Sequence, residues 1–257
     1  MINPMDMTGR CVIVTGSAQG IGLHTARLVS ELGGNAVLVD LNPDALAQAA
    51  DGMPSERTMI VAGSVTDRDF VQSLVSQAAD RFGGVHGLVN NAGITRPAMI
   101  EKMTAEDWQL VLDVNQTGVF NMLQAVGSEM LKRGRGGEEN PGAVVNISSE
   151  AGLKGSVGQI NYSAAKAAIL GMTMSAAREW GKYGIRVNSV AYGIVETPMT
   201  EVARSDRFRE TYLSQIPLQK FLKPEDAAYS IAFLLSGASR HITGQHLAVN
   251  GGSFMSA

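Results

Sequence analysis

The sequence predicts an α/β protein, a doubly wound sheet of seven parallel strands with helices on both faces, in a single domain covering 1–257. Short runs that are apolar at nearly every position alternate with longer segments of helical apolar periodicity. Strands of this kind are typical of a parallel sheet buried on both faces. The length of 257 residues suits one α/β domain. Ligands of such folds bind beyond the carboxyl ends of the strands.

The strands are expected where the short apolar runs lie, at 11–15, 35–40, 58–62, 87–89, 143–147, 186–191 and 246–249. Helices are predicted across 20–32, 67–82, 105–133 and 162–180. Thr66 is the expected cap of the second helix and Thr104 that of the third. Segment 197–222 is too long for an ordinary connection, so we expect it to be a lid over a substrate site.

Composition and charge narrow the function classes. The formal net charge is −3 and no basic cluster occurs, so we expect neither a nucleic-acid nor a membrane partner. The N-terminus does not have the pattern of a leader peptide, and we expect a cytoplasmic protein. The single cysteine, Cys11, cannot form a disulfide framework, and the four histidines lack ligand spacing. We therefore expect no metal.

The strongest local motif, TGSAQGIG at 15–22, lies between the first strand and the first helix. Gly16, Gly20 and Gly22 let the backbone turn tightly and approach a pyrophosphate, whose charge is favoured by the free N–H groups of the helix. The spacing is GxxxGxG rather than GxGxxG. Because Asp40 ends the next strand, the segment predicts a dinucleotide site.

Asp40 also predicts which dinucleotide is bound. Its carboxylate can accept hydrogen bonds from the adenosine ribose hydroxyls and would repel a 2′-phosphate. Gln19 in the glycine turn and Leu41 after the acid are not the lysine or arginine that a 2′-phosphate requires. We therefore expect NAD as the cofactor.

Tyr162 and Lys166 are four residues apart at the start of a predicted helix and share one face. The chain resembles a short-chain dehydrogenase/reductase of the compact, Rossmann-type, single-domain branch, and is most similar to 3-oxoacyl-acyl-carrier-protein reductases. The resemblance runs from about residue 10 to 252. It rests on TGxxxGIG at 15–22, NNAG at 90–93, Ser148-Ser149, YSAAK at 162–166 and ITGQHLAVNGG at 242–252.

The resemblance implies an NAD-dependent oxidoreductase that moves a hydride between nicotinamide and a carbonyl or secondary alcohol. Tyr162 would be the general acid/base, which asks for a pKa about 3 units below that of a free phenol. Lys166 would favour the phenolate and hold the nicotinamide ribose. Ser149 would hydrogen-bond the substrate oxygen, and Asn115 would continue a proton relay through water.

The resemblance further implies cofactor contacts around the glycine turn and the ends of the strands. Ser64 and Val65 would flank the adenine, and Val195 and Thr197 would contact the nicotinamide carboxamide and its phosphate. The whole predicted cofactor set is Gly16, Ser17, Gln19, Gly20, Ile21, Gly22, Asp40, Leu41, Ser64, Val65, Asn91, Ala92, Gly93, Tyr162, Lys166, Gly193, Val195 and Thr197.

Two positions depart from the family pattern. Ser64 stands where an aspartate is usual, which puts the adenine contact in doubt. Tyr192 precedes Gly193 where Pro-Gly is usual, so a large phenol lies beside the predicted nicotinamide pocket. This phenol either shapes the substrate pocket or is a tolerated packing change.

Two substrate classes stay open. A polar pocket would suit a polyol, sugar or other small hydroxy compound, and an apolar one would suit a 3-oxoacyl thioester. Biosynthetic reductases usually take NADPH, so Asp40 favours the first class, with thioester reduction as the alternative and a non-catalytic dinucleotide sensor as a third interpretation. The family implies a homotetramer. The polar candidates are Ser149, Glu150, Gln159 and Tyr192, and the apolar ones are Ile94, Met99 and Met103.

Overall fold

The chain folds around one sheet of seven strands in the order β3-β2-β1-β4-β5-β6-β7, and every neighbouring pair is parallel. The computed structural model describes residues 3–255. The predicted fold class is confirmed, and three strands run one or two residues further than expected. The strands are β1 (Cys11–Thr15), β2 (Asn35–Asp40), β3 (Thr58–Ala62), β4 (Gly87–Asn90), β5 (Ala143–Ser149), β6 (Arg186–Tyr192) and β7 (His246–Val249).

Helices connect the strands and cover both faces of the sheet. Within residues 3–255 they are α1 (Gly20–Glu31), α2 (Pro43–Ala49), α3 (Arg68–Phe82), α4 (Ala105–Leu112), α5 (Gly118–Arg135), α6 (Glu150–Lys154), α7 (Ile160–Trp180), α8 (Glu201–Arg204), α9 (Asp206–Leu213) and α10 (Pro224–Leu235). None of these helices is long and apolar enough to cross a membrane.

Two apolar clusters, one on each face, form the core. Leu74 of α3, Met122 of α5 and Ile169 of α7 belong to the first cluster. Val29 of α1 and Ile231 of α10 belong to the second. Each such side chain stabilises the fold by roughly 1.5–3 kcal/mol when fully buried. Because both faces are covered, the strands need apolar residues at almost every position, which explains the continuous runs in the sequence.

The cap of α3 differs from the prediction. Asp67, not Thr66, is the N-cap, and its carboxylate accepts hydrogen bonds from the backbone N–H groups of Asp69 and Phe70 at 3.0 and 3.1 Å. The Thr66 hydroxyl instead contacts that of Ser64 at 2.7 Å. Threonine and aspartate both cap helices, but the aspartate carboxylate also interacts favourably with the positive helix end.

The helix predicted across 105–133 is interrupted. Thr104 caps α4 as expected, accepting from the backbone N–H of Asp107 at 3.1 Å. After Leu112 the chain makes a π-helical turn, Asp113–Thr117, before α5 begins. A π turn adds a residue to the helical repeat and changes the direction of its side chains, and such turns are frequent at functional sites. Asn115, within this turn, is fully buried.

The strand order places a crevice at the centre of the carboxyl edge. The chain runs from β1 outward through β2 to β3 and then returns to place β4 on the other side of β1. Connections leave in opposite directions at this switch point, which opens a space for a ligand. The segment predicted as a lid contains the 3-10 turn Pro198–Thr200 followed by α8 and α9.

Candidate active site

A cleft of about 380 Å³ lies at the switch point. It brings together three regions that are distant in the sequence: the glycine turn before α1, the end of β5 with the start of α7, and the segment after β6. Most of the predicted cofactor set lines it. The lining members of that set are Gly16, Gln19, Gly20, Ile21, Asp40, Leu41, Ser64, Val65, Asn91, Ala92, Gly93, Tyr162, Lys166, Gly193, Val195 and Thr197.

The glycine turn and the NNAG segment form one unit. Gly16 has φ +65°, and a Cβ there would lie 2.8 Å from the Cα of Ala92. A Cβ on Gly22 would lie 2.3 Å from the carbonyl oxygen of Gly16. The Asn91 amide donates to the carbonyl oxygens of Thr15 and Gly16 at 3.0 and 2.9 Å. Side chains at these two glycine positions would therefore destroy the turn.

The beginning of α1 is suited to an anion. Its N-cap, Gln19, makes no side-chain capping bond, and the first turn holds no acidic residue. The first N–H groups of the helix consequently remain available toward the cleft. Thr197 is close to this end, because a Cβ on Gly20 would be 3.2 Å from its methyl group. These donors and the small residues around them fit a pyrophosphate.

Asp40 is held in place at the edge of the cleft. One carboxylate oxygen accepts from the backbone N–H of Ala18 at 3.1 Å and the other from that of Leu41 at 2.8 Å. The Leu41 side chain is 70% exposed. Among the described residues that line the cleft, Lys166 is the one basic side chain. The described lining thus contains no second basic side chain that could bind a 2′-phosphate.

Ser17 differs from its predicted role as a cofactor ligand. It is fully buried, and its hydroxyl donates to the carbonyl oxygen of Val39 and accepts from the Val39 N–H at 3.3 and 2.8 Å. Both bonds hold the glycine turn against β2. A short hydroxyl in a tight turn bonds readily to nearby backbone, which removes Ser17 from the surface of the cleft.

The three predicted catalytic side chains meet at one point of the cleft. Tyr162 and Lys166 lie on α7, and Ser149 ends β5. Hydrogen bonding by Ser149 lowers the pKa of the Tyr162 phenol, so the two hydroxyls lie next to each other. The Lys166 ammonium lies 5.7 Å from the centre of the Tyr162 ring and donates to the carbonyl oxygen of Ile147 at 2.8 Å. The end of β5 and the first turns of α7 thus place the Ser149 hydroxyl, the Tyr162 phenol and the Lys166 ammonium next to one another.

Burial governs the charges in this group. It raises the pKa of the Tyr162 phenol, and the hydrogen bond to Ser149 opposes that rise. Burial also lowers the pKa of Lys166 from 10.5 to about 8. Both shifts disfavour the charged form, since an ion loses hydration in the interior. The phenolate therefore depends on hydrogen bonding and on positive charge close to the ring.

Asn115 is fixed by the backbone of Ile94. Its amide oxygen accepts from the Ile94 N–H at 2.8 Å, and its amide nitrogen donates to the Ile94 carbonyl oxygen at 2.8 Å. A Cβ on Gly93 would lie 3.1 Å from the Asn115 amide oxygen and 3.5 Å from the Lys166 ammonium. Asn115 thus holds the chain just after the NNAG segment, and its participation in a proton relay stays a prediction.

The polar substrate candidates do not form a pocket. Tyr192 borders the cleft, but its side chain is 3% exposed and its hydroxyl donates to the carbonyl oxygen of Ala227 at 2.8 Å. The phenol hydroxyl thus faces α10, which favours the interpretation of Tyr192 as a tolerated packing change over that of a pocket-shaping side chain. Glu150 pairs with Lys154 at 2.7 Å, and Gln159 precedes α7 outside the cleft lining.

Apolar side chains occupy the corresponding part of the cleft. Ile94, Val114, Val195 and Met199 line it together with Tyr162. Met199 is 51% exposed. Of the three apolar residues expected from the sequence, Ile94 belongs to the lining, whereas Met99 and Met103 lie outside it. Val114 and Met199 were not predicted because the π turn and the 3-10 turn that place them have no clear sequence signal.

Arg204 is a further residue that the sequence did not indicate. Its guanidinium donates to the carbonyl oxygen of Thr197 at 3.0 Å and to the hydroxyl of Thr200 at 3.2 Å. The Thr200 hydroxyl in turn donates to the carbonyl oxygen of Val195. These bonds tie α8 to the segment after β6. They fix Thr197 where it faces the glycine turn.

A doubly wound sheet with an anion-binding glycine turn, a ribose-type acid and a Ser-Tyr-Lys group at the switch point defines a dinucleotide-dependent oxidoreductase. Comparison with known proteins identifies its family. Residues 16–253 match the family model described as enoyl-(acyl carrier protein) reductase. The chain belongs to the short-chain dehydrogenase/reductase family, whose members use a nicotinamide dinucleotide.

The relatives extend over almost the whole chain. A 3-oxoacyl-acyl-carrier-protein reductase of Thermotoga maritima is 42% identical over 251 residues, covering 96% of this chain and 99% of the relative. An acetoacetyl-CoA reductase of Synechocystis is 40% identical over 248 residues, covering 96% and 97%. A solved structure titled glucose/ribitol dehydrogenase, from Brucella melitensis, has a TM-score of 0.91 and 32% identity, covering 98% of this chain and 99% of that one. The curated relatives favour the thioester alternative over the polyol expectation.

Proposed function

We propose that the protein interconverts a 3-oxoacyl thioester and the matching 3-hydroxyacyl thioester with NAD(H). The observation that carries this proposal is the apolar lining of the cleft. Ile94, Val114 and Met199 line it, whereas the polar candidates Tyr192 and Glu150 are bonded to other protein groups. An acyl chain gains from contact with such a surface, while polyol hydroxyls would be left without partners. The names of the two curated relatives support the same class.

The catalytic roles follow from the chemistry of the side chains. The nicotinamide ring, when bound, supplies or accepts the hydride. Ser149 donates a hydrogen bond to the substrate carbonyl oxygen, and Tyr162 delivers the proton to that oxygen during reduction and removes it during oxidation. Lys166 stabilises the phenolate by its charge and can exchange its bond to Ile147 for one to a ribose hydroxyl. Asn115 keeps Gly93 and Ile94 in place beside these groups.

The cofactor assignment to NAD(H) rests on Asp40. Its carboxylate is fixed by two backbone N–H groups, so it cannot easily turn away from the adenosine ribose. A 2′-phosphate would meet this negative charge, and the described cleft lining holds no arginine to compensate. The glycine turn and the start of α1 would hold the pyrophosphate. Val195 and Thr197 would contact the nicotinamide side.

Segment 197–222 would act as the lid over the substrate. Its first part carries Met199 into the cleft, and Arg204 fixes that part to the chain after β6. We also infer a homotetramer formed through α5 and α7, because Phe120 and Met174 on these helices are 44% and 45% exposed. Sedimentation of the wild-type protein would report the stoichiometry.

The test of the proposed function is a substrate panel read by NADH absorbance. Acetoacetyl-CoA and a longer 3-oxoacyl-CoA are offered with NADH, and ribitol, glucose and simple secondary alcohols are offered with NAD. We expect kcat/KM for the thioesters to exceed that for the polyols by at least about 100-fold, since burying two or three methylenes gives about 2 kcal/mol and unpaired polyol hydroxyls add a further cost.

A polyol or sugar dehydrogenase is the second candidate, favoured by the solved structure titled glucose/ribitol dehydrogenase. Ribitol or glucose turned over faster than any thioester would replace the thioester proposal with this one. A Tyr162→Phe variant run on the same panel provides the control for contaminating reductases. If the variant turns over a substrate as fast as the wild type does, that turnover belongs to a contaminant.

A further inference from the structure

Glu150 immediately follows Ser149 and is buried although it carries a carboxylate. One carboxylate oxygen accepts a hydrogen bond from the hydroxyl of Ser253, and the other pairs with the Lys154 ammonium at 2.7 Å. A Cβ on Gly193 would lie 3.0 Å from the first of these oxygens. The carboxylate therefore connects the ends of β5 and β6 with the end of the chain.

Residues 250–254 form a compact C-terminal turn that Glu150 contacts. Within this turn the Asn250 amide donates to the carbonyl oxygen of Phe254 at 2.7 Å and accepts from the Gly252 N–H at 2.9 Å. The Ser253 hydroxyl that meets Glu150 also contacts the carbonyl oxygen of Asn250 at 3.0 Å. The C-terminal turn is thus fixed internally before it contacts α6.

The C-terminal turn also contacts the end of the lid. The backbone N–H of Leu218 donates to the carbonyl oxygen of Gly251 at 3.1 Å. A Cβ on Gly251 would lie 2.7 Å from the side chain of Ile216, and one on Gly252 would lie 2.9 Å from that of Pro217. The lid end at 216–218 and Glu150 consequently contact the same turn.

Helix α6 transmits the contact to the catalytic group. Ser149 is its N-cap, and the Ser149 hydroxyl accepts from the Ala151 N–H at 3.2 Å. A Cβ on Gly152 would lie 2.6 Å from the backbone of Lys166, so α6 packs directly on α7. A displacement of α6 would move the Ser149 hydroxyl relative to Tyr162.

We propose that Glu150 is a positioning residue: its carboxylate fixes α6 to the C-terminal turn and thereby holds the Ser149 hydroxyl in the cleft and couples it to the lid. The proposal rests on the proposed function in one respect, the role of Ser149 as the group that binds the substrate oxygen. The sequence predicts Glu150 as a substrate contact, but the geometry gives its carboxylate two protein partners instead.

The test compares Glu150→Ala, Glu150→Gln, Ser253→Ala and the double variant Glu150→Ala/Ser253→Ala. With a saturating accepted substrate, Glu150→Ala should lower kcat about 10-fold while the Kd for NADH, measured by fluorescence, stays within about 2-fold. Glu150→Gln keeps an oxygen for the Ser253 hydroxyl, so it should retain kcat within about 3-fold. The double variant should be no slower than Glu150→Ala, because both changes remove one contact.

A pH profile separates positioning from a general loss of structure. Ser149 lowers the pKa of Tyr162 through their hydrogen bond. A misplaced Ser149 should therefore shift the pH limb of kcat for alcohol oxidation upward by about half a unit. Lys154→Met is the matched control, since it removes the charged partner but leaves the Ser253 bond, and it should keep the wild-type profile.

Three results would overturn the proposal: wild-type kcat and pH limb in Glu150→Ala, a Glu150→Gln variant as slow as Glu150→Ala, or additive losses in the double variant. If Glu150→Ala does not fold, Ser253→Ala alone decides, because it deletes one hydroxyl and should still lower kcat. The Ser149→Ala variant distinguishes a wrong role for Ser149 from a wrong role for Glu150. Full activity in Ser149→Ala removes the role that the proposed function assigns to Ser149, whereas an inactive Ser149→Ala beside a normal Ser253→Ala removes only the role of Glu150.

Discussion

The Lys166 ammonium lies 5.7 Å from the centre of the Tyr162 ring, yet its hydrogen bond goes to the carbonyl oxygen of Ile147. The pair is therefore arranged for charge interaction through space rather than for direct proton exchange. Burial disfavours charge on both groups, raising the pKa of Tyr162 and lowering that of Lys166 to about 8. Binding of the oxidised cofactor, whose nicotinium ring carries a positive charge, beside the phenol would shift this balance toward the phenolate.

Removal of the phenol hydroxyl tests the proposed acid/base. Tyr162→Phe should lower kcat by at least about 100-fold and change NADH binding little, because it removes the proton-transferring hydroxyl and keeps the ring that borders the cofactor site. Lys166→Ala should impair both kcat and NADH affinity, since two roles are assigned to it. The measurement is steady-state kinetics at saturating cofactor together with NADH fluorescence titration. Retention of more than about a tenth of the wild-type rate in Tyr162→Phe would contradict the assignment.

The buried ammonium of Lys166 predicts a pH dependence of stability without cofactor. Its folded-state pKa of about 8 lies below the ordinary 10.5. The unfolded chain therefore binds the proton more tightly at pH values between these two pKa values. The free energy of unfolding should therefore rise with pH by about 2 kcal/mol between about pH 7.5 and 9.5. Lys166→Met lacks the group and should lack this part of the rise. Urea denaturation of both proteins measures the difference, and equal slopes with pH would contradict the buried charge.

The strands were predicted well because the residue pattern that specifies each of them is local in the sequence. The inner strands β1, β2 and β4 are short runs of mostly apolar, buried residues, and burial on both faces requires this pattern. The glycine turn was predictable for a related reason, since Gly16 and Gly22 stand where side chains would collide with the backbone. The place of Asp40 at the end of β2 was predictable from the position of that strand alone.

The parts that were not predicted depend on long-range packing. The π turn around Asn115 lies inside one continuous segment that was predicted as a helix, and no residue pattern indicated the interruption. Tyr192 comes directly after the strand predicted at 186–191, which leaves its role open in the sequence, whereas in the structure its hydroxyl bonds to the Ala227 carbonyl oxygen of α10. Glu150 was assigned to substrate, and its partner Ser253 lies 103 positions away. Spacing along the chain cannot reveal such pairs.

The orientation of Tyr192 predicts that its hydroxyl matters for stability rather than specificity. Tyr192→Phe removes the bond to the Ala227 carbonyl oxygen and should lower the free energy of unfolding by about 1 kcal/mol. The ratios of kcat/KM across a panel of substrates should not change. Met199→Ala is the matched comparison, because Met199 lines the cleft and should alter those ratios. Changed ratios in Tyr192→Phe with unchanged ratios in Met199→Ala would reverse the assignment.

Asp40 carries the prediction on cofactor choice. Its two carboxylate oxygens are fixed by the N–H groups of Ala18 and Leu41, at 3.1 and 2.8 Å, so a 2′-phosphate would face a charge that cannot move away. Two unit charges about 4 Å apart near a protein surface repel by roughly 4 kcal/mol before screening. Half of that corresponds to about 30-fold discrimination. The wild type should therefore show a kcat/KM for NADH at least about 30-fold above that for NADPH.

The double variant Asp40→Ala/Leu41→Arg should shift this preference toward NADPH, because it removes the repulsion and places a guanidinium at an exposed position next to the ribose site. Asp40→Ala alone should lose affinity for NADH and gain little affinity for NADPH. Its comparison with the double variant separates the effect of removing the repulsion from the effect of adding a phosphate partner. Both ratios are measured with one accepted substrate at fixed ionic strength, since salt screens the charge term. A wild-type kcat/KM for NADPH equal to or above that for NADH would disprove the role of Asp40, and it would require a basic side chain to reach the ribose from outside the described lining of the cleft.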